Sequence, residues 1–155
     1  MPTENVNAGD IFGYKFPTSS DPSKAHPGLV LEVLSHAKRV AVLKARGIVD
    51  IPGADLCLLL MISHSYPMKG EFCELISMPH RDGTALDQSK DIYACYRHFD
   101  LAFLPGQASK IVSVDGEYLG RMRDEGLRHY RRQLIAVQEF KKGTSFKKPD
   151  GVFVP

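Results

Sequence analysis

The sequence predicts a mainly β protein, a small barrel or strongly bent sheet, followed by one long C-terminal helix. Short apolar runs recur along most of the chain, with turn residues such as Gly, Pro and Asp between them. One run, LCLLLMIS, is continuously apolar rather than alternating, as expected for a strand buried on both faces. Near the C-terminus the apolar residues change to helical spacing, which indicates the helix.

The predicted strands follow one another with short connections. In chain order they are DIFGYKF, GLVLEVL, RVAVLKARG, LCLLLMIS, EFCELISM, DIYACY and FDLAFL. The four residues SHAK between the second and third runs have a length that suits a hairpin, which places His36 in its turn. The segment IPGAD is predicted to turn the chain before the buried fourth strand.

The helix is predicted within VDGEYLGRMRDEGLRHYRRQLIAVQEF, with Asp115 as its N-cap. Acidic residues early and arginines later suit the helix dipole. The apolar positions at helical spacing are Leu119, Met122, Leu127, Tyr130, Leu134 and Val137. We expect residues 1–140 to form one domain. Residues 141–155, which are basic and broken by Gly and Pro, are predicted to be a flexible tail.

Composition restricts the class of protein. A chain of 155 residues is long enough for one domain with a real core. The net charge of +2 gives no bulk electrostatic argument for nucleic acid, so any basic surface must come from local clustering. Cys57, Cys73 and Cys95 form no CxxC pair and are predicted to be buried thiols. With neither a signal peptide nor an apolar run near the ~20 residues of a membrane span, we expect a soluble cytoplasmic protein.

Five short blocks, taken in order and spacing, resemble the MazF/PemK toxin family. They are GDIFGYKFP, HPGLVLEV, ISHS, GTALDQSKDIY and SVDGEYLGRMRDEGLRHYRRQLI, which together cover roughly residues 8–137. The resemblance implies an SH3-like β-barrel with a C-terminal helix, usually in a homodimer. It also implies an endoribonuclease that cleaves single-stranded RNA without metal or cofactor, inhibits growth and is neutralised by an antitoxin.

The family's site residues carry over unevenly. Asp87, Gln88 and Lys90 fall on a family segment that the resemblance associates with the dimer and the groove. The position of the family's catalytic arginine is His26, and that of its catalytic threonine is Ser63, with His64 beside it. Serine keeps the hydroxyl, whereas histidine does not keep a permanent charge.

These residue types fit RNA cleavage without a metal. The reaction needs a base for the 2′-hydroxyl, an acid for the leaving 5′-oxygen, and positive charge near the phosphate. Histidine, with an ordinary pKa of about 6.5, can be the base or the acid at neutral pH. If His26 and His64 face each other, they form such a pair, while Ser63 binds a phosphate oxygen. This hypothesis predicts a bell-shaped dependence of the rate on pH.

Neighbouring residues are candidates for RNA binding. The cations that could replace the missing arginine are Lys24, Lys69 and Arg97, and the aromatic rings that could stack on bases are Tyr14 and Tyr66. Phe16 is either a third such ring or a core residue. Residues 17–25 are predicted to be a mobile lid over the groove. For the arginines of the helix we favour a solvated, charge-balanced face over a stripe that attracts phosphates.

An alternative hypothesis is that the chain has the barrel fold but no catalytic activity. The chain would then be an RNA- or protein-binding module, and the histidine in place of the family's arginine is the feature that favours it. The remaining histidines have no clear catalytic place in the sequence. His80 is predicted on a loop that flanks the groove, and His98 and His129 on strand and helix surfaces.

Overall fold

The computed structural model describes residues 6–19, 21–64, 71–81, 86, 89–105 and 118–153. Within these ranges the chain forms a curled antiparallel sheet of seven strands, a half-barrel, with a C-terminal helix. The strands are β1 (Asp10–Tyr14), β2 (His26–Val33), β3 (Ala54–Ser63), β4 (Cys73–Leu75), β5 (Tyr93–Pro105), β6 (Tyr118–Arg121) and β7 (Val152–Phe153). The helices are α1 (His36–Arg46), α2 (Met78–Arg81) and α3 (Asp124–Lys141). The prediction of a mainly β protein with a C-terminal helix is confirmed.

The strands of the sheet are ordered β6-β1-β2-β3-β5-β4-β7. Both faces of the sheet carry an apolar cluster. Neighbouring residues of one strand point to opposite faces, so Leu59 and Leu60 of β3 enter different clusters. One face packs against α3, and the other lies inside the curl of the sheet. β3 is buried on both faces along most of its length, as its continuous apolar run predicts.

The predicted hairpin and third strand are wrong, because residues 36–46 form α1. Ser35 caps the helix by accepting a hydrogen bond from the Lys38 N–H, and Gly47 ends it in the left-handed conformation (φ 63°). The four apolar residues VAVL resemble a strand, but they are surrounded by Ala, Lys and Arg, which favour helices. Only Leu43 of α1 is buried, so the helix has a narrow apolar face.

The two predicted strands DIYACY and FDLAFL are one strand, β5, with an irregularity between them. In the pairing with β3, Leu60 lies opposite Phe99 and Met61 lies opposite Cys95, so residues 96–98 have no counterparts. Such an insertion bends a strand and redirects its side chains. Here it directs His98 into the buried site described below.

The C-terminal helix begins later than predicted. Residues 118–121 form β6, which pairs with β1, and α3 begins only at Asp124. The predicted N-cap Asp115 lies outside the described residues. The helical prediction holds from Leu127 onward, where an apolar residue at every third or fourth position is buried against the sheet: Leu127, Tyr130, Leu134 and Val137.

Two residues after α3, Val152 and Phe153, return to the sheet as β7, within the segment 141–155 that the sequence predicts to be a flexible tail. Lys141 still belongs to α3, and β7 pairs with β4, with Cys73 opposite Phe153. Val152 is buried in the core beneath α3. The lysines 147 and 148 are exposed, as a basic end predicts, but the segment is docked at both ends.

The three cysteines are buried free thiols, as predicted. Burial raises the pKa of Cys57 to about 12, which keeps this thiol protonated and unreactive at neutral pH. Cys73 lies directly opposite Cys95 in the β4–β5 pairing. Among the helices in the described ranges, none has the length and apolar character needed to span a membrane.

Gly126 is where α3 meets α2, and we expect Gly126→Ala to lower the free energy of unfolding by about 1–2 kcal/mol. A Cβ atom there would lie 2.7 Å from the His80 carbonyl oxygen and 2.9 Å from the Met122 sulfur. Because the oxygen belongs to the backbone, α2 would have to move, which outweighs the helix propensity gained by alanine. Urea unfolding measures the loss. Arg128→Ala, on the exposed face of α3, should stay within about 0.5 kcal/mol, and an equal effect of both changes would contradict the prediction.

Candidate functional site

The candidate site lies where β1 ends, β2 begins and β5 bulges. His26 opens β2 and lies opposite Tyr14 of β1. Its side chain is partly buried, and this burial lowers its pKa below the ordinary value of 6.5. The positive charges of Lys24 and His98 lower the pKa further, whereas Asp21 opposes them. The imidazole of His26 is therefore mainly neutral near pH 7.

His98, on the bulge of β5, connects a carboxylate to a hydroxyl. Its side chain is almost completely buried, with 2% of the residue exposed. Its Nε2 lies 2.9 Å from Oε1 of Glu71, and its Nδ1 lies 2.8 Å from Oγ1 of Thr18. Thr18 is exposed on the loop after β1. The three side chains thus form a continuous hydrogen-bonded chain from the interior to the surface, which we call the relay.

Tyr14 borders the site but its hydroxyl is already engaged. It donates a hydrogen bond to Oδ2 of Asp100 at 2.5 Å, and burial together with this carboxylate raises the pKa of Tyr14 well above its usual value. The Tyr14 ring contacts the ring of Phe16 edge-on, with the centroids 4.8 Å apart. Phe16 is fully buried, so its alternative assignment as a core residue is confirmed.

Ser63 and His64 lie at the end of β3. Ser63 is buried and lies opposite Tyr93 of β5. In the antiparallel pairing of β2 with β3, Gly28 lies opposite Met61. His26 and Ser63 each lie two residues from this pair, toward the same end of the sheet. His64 is exposed, with Nδ1 3.2 Å from the Asp91 carbonyl oxygen. His98 acts electrostatically on His26, and the pairing of His26 with His64 stays a prediction.

Some of the residues predicted to bind RNA or to shape the groove lie within the described ranges, and others do not. Lys24 lies close enough to His26 to affect its pKa, and Arg97 is exposed on the bulge of β5. Tyr66, Lys69, Asp87 and Gln88 lie outside the described residues. Lys90 offers its backbone carbonyl to the Arg81 guanidinium at 2.7 Å. On α3, Arg131 donates to the Leu31 carbonyl, so it fastens the helix to the sheet.

The loop that follows β1 is joined to β5 by one of its side chains. Thr18 reaches His98, whereas Ser23 donates to Asp21 within the loop itself, through both its N–H and its hydroxyl. Ser19 is buried, and its Oγ has no hydrogen-bond partner among the described residues. A buried hydroxyl without a partner is uncommon in folded proteins, and it is often found where a ligand or water binds.

A second polar cluster lies under α3, away from His26, and is centred on Glu74. Its carboxylate accepts hydrogen bonds from the Tyr96 hydroxyl at 2.6 Å and from Gln133 Nε2 at 3.1 Å, and lies 2.7 Å from Nε2 of His129. The ring of His80 lies against the ring of His129, with the centroids 4.9 Å apart. Nδ1 of His80 lies 3.1 Å from the Tyr130 hydroxyl. His80 and His129, which the sequence assigns to a loop and a surface, thus join α2 and α3 to the sheet.

The relay is the part of the site that sequence reasoning missed. Residues 18, 71 and 98 are far apart along the chain, and only the folded sheet brings them together. One signal was present: the charged pair Arg97-His98 interrupts two apolar half-strands, at the bulge of β5. The described residues contain no group of three or more His, Cys, Asp or Glu side chains placed to hold a metal ion.

Comparisons of the chain with protein-family models, with curated proteins and with solved structures gave no match.

Proposed function

We propose that this protein is a metal-independent endoribonuclease that cleaves single-stranded RNA on an SH3-like barrel of the MazF/PemK type. One observation carries the proposal. The position of the family's catalytic arginine holds His26, an accessible imidazole whose pKa is lowered by burial and by the charges of Lys24 and His98. A neutral imidazole at pH 7 is suited to accept a proton. The proposal includes cytoplasmic growth inhibition, a homodimer and a neutralising antitoxin.

The protein does not have to supply a nucleophile, because the 2′-hydroxyl of RNA is the nucleophile. His26 accepts the proton of the 2′-hydroxyl, and the 2′-oxygen attacks the neighbouring phosphorus. The bond to the 5′-oxygen breaks as this oxygen takes up a proton from a general acid, which leaves a 2′,3′-cyclic phosphate and a free 5′-hydroxyl. Lys24, exposed beside His26, supplies positive charge for the phosphate. Ser63, at the adjoining strand end, supplies a hydroxyl for a phosphate oxygen.

A second candidate function is an RNA- or protein-binding module without catalysis. The observation that favours it is again His26. A mainly neutral side chain at this position lacks the permanent charge with which an arginine stabilises a pentacovalent phosphorus. On this alternative the groove binds its partner and leaves it intact.

Incubation of the purified protein with a long unstructured RNA in EDTA separates the two functions. We expect cuts at selected sites, mapped by primer extension, with 2′,3′-cyclic phosphate ends. DNA of the same sequence is the matched control, since it lacks the 2′-hydroxyl and should remain intact. RNA that is bound but not cut would support the binding module. RNA that is neither bound nor cut, by folded protein, would contradict the endoribonuclease.

A further inference from the structure

We propose that Thr18, His98 and Glu71 form the general-acid arm of this site, with the Thr18 hydroxyl protonating the leaving 5′-oxygen. The inference rests on the proposed endoribonuclease function and supplies the acid that its chemistry lacks. It assigns this role to residues other than His64.

The geometry of the relay fixes the direction of one of its two hydrogen bonds. The Glu71 carboxylate can only accept, so Nε2 of His98, 2.9 Å away, carries a hydrogen. When His98 is charged, Nδ1 also donates, and its acceptor is Oγ1 of Thr18 at 2.8 Å. The hydroxyl hydrogen of Thr18 is then available to an acceptor outside the relay. Glu71 both orients the imidazole and compensates its charge.

Burial decides which member of the relay meets the substrate. His98 is only 2% exposed, and both of its ring nitrogens are engaged. Thr18 is exposed. Thr18 is therefore the catalytic residue of the arm, and His98 and Glu71 are positioning residues that act through it. The three-residue bulge of β5 directs His98 toward Thr18.

The charges around the two histidines suit opposite roles. The Glu71 carboxylate lies 2.9 Å from Nε2 of His98 and places a negative charge beside this ring. Lys24 and His98 act on His26 and favour its neutral form, against the weaker effect of Asp21. We therefore assign proton acceptance to His26 and proton donation to the arm that ends at Thr18.

The step balances without a further reactant. As the phosphorus–5′-oxygen bond breaks, the proton of Thr18 Oγ1 moves to the leaving oxygen and the Nδ1 proton of His98 moves to Thr18. His98 becomes neutral, while His26 holds the proton taken from the 2′-hydroxyl. Exchange with solvent through the exposed Thr18 hydroxyl and the accessible His26 restores both groups.

A pair of RNA substrates tests the arm. One is an oligonucleotide cut by the wild-type protein, and the other carries sulfur in place of the scissile 5′-oxygen, because a thiolate leaves without protonation. We expect Thr18→Val to lower kcat on the oxygen substrate by about 100-fold or more and to change cleavage of the sulfur substrate by less than about 3-fold. Thr18→Ser, which retains the hydroxyl, should stay near wild type on both.

Ser23→Ala is the matched control in the same loop, since the Ser23 hydroxyl bonds only to Asp21 among the described side chains. It should leave both rates near wild type. Equal rates of Thr18→Val and wild type on the oxygen substrate, or equal losses on both substrates, would overturn the acid arm while the endoribonuclease stands. Wild-type protein that cleaves neither substrate would overturn both. Because Thr18 is exposed, the variant should fold, and its thermal unfolding checks this.

Discussion

Replacement of His26 by alanine is expected to reduce the single-turnover rate of RNA cleavage by about 100- to 10,000-fold, the usual contribution of a general base. The change removes the group that accepts the 2′-hydroxyl proton. His26 is only partly buried and no hydrogen bond of β2 depends on its side chain, so the protein should remain folded. His36→Ala, at the exposed start of α1, is the matched control and should cleave at the wild-type rate.

Two further results make this prediction specific to the base. A base is active when deprotonated, and the pKa of His26 is lowered. The acid limb of the wild-type pH profile should therefore lie below the ordinary imidazole pKa of about 6.5. His26→Arg restores the charge of the family's arginine but cannot accept a proton near neutrality. If His26→Arg cleaves as fast as wild type, the charge of this position matters and its basicity does not, which would contradict the role of His26.

Replacement of Glu74 by alanine is expected to lower the free energy of unfolding by about 2–4 kcal/mol. Glu74 is buried and is the common hydrogen-bond partner of Tyr96, His129 and Gln133. Burial and the Glu74 carboxylate both raise the pKa of Tyr96, so its hydroxyl remains a donor that needs an acceptor. Without Glu74 this hydroxyl is buried and unpaired, which alone costs about 1–3 kcal/mol. The lost side-chain contacts add to this cost.

Urea unfolding of three variants measures this effect. Glu74→Gln keeps the shape and one acceptor oxygen and should lose less than Glu74→Ala. Glu139→Ala, on the exposed side of α3, should stay within about 0.5 kcal/mol. A double-mutant cycle with Tyr96→Phe should show coupling, because Tyr96 and Glu74 share a hydrogen bond of 2.6 Å. Additive losses in that cycle would contradict the network.

The sequence predicts the fold best where burial is two-sided. β1 lies within its predicted run, β2 and β3 each begin two residues before theirs, and β3 is buried on both faces along most of its length. The errors fall on short apolar segments whose period is ambiguous. The run VAVL belongs to α1, where caps at Ser35 and Gly47 decide, and residues 118–121 join β1 although they continue a helical pattern. Local propensity cannot reveal such a distant strand partner.

The residues of the candidate site also differ in whether the sequence alone identifies them. His26 is identifiable from the sequence because it lies at the start of a recognisable strand within the block HPGLVLEV. Its electrostatic neighbour His98 is not, since the register shift between β3 and β5 determines where that side chain goes. Thr18 and Glu71 are ordinary polar residues in sequence and gain a role only through their distances to His98.

The strand order has a consequence for how the chain folds without aggregating. Both outermost strands, β6 and β7, come from residues 118–153, and they cover β1 and β4, whose own pairing groups would otherwise face water. Until those residues join, the sheet formed by residues 10–105 presents two bare edges to which another chain can add a strand. Because β1 must find β6 across about a hundred residues, this is a slow contact to form. Residues 118–153 thus cover both edges of the sheet. Truncation before residue 118 should expose these edges and cause the chains to aggregate.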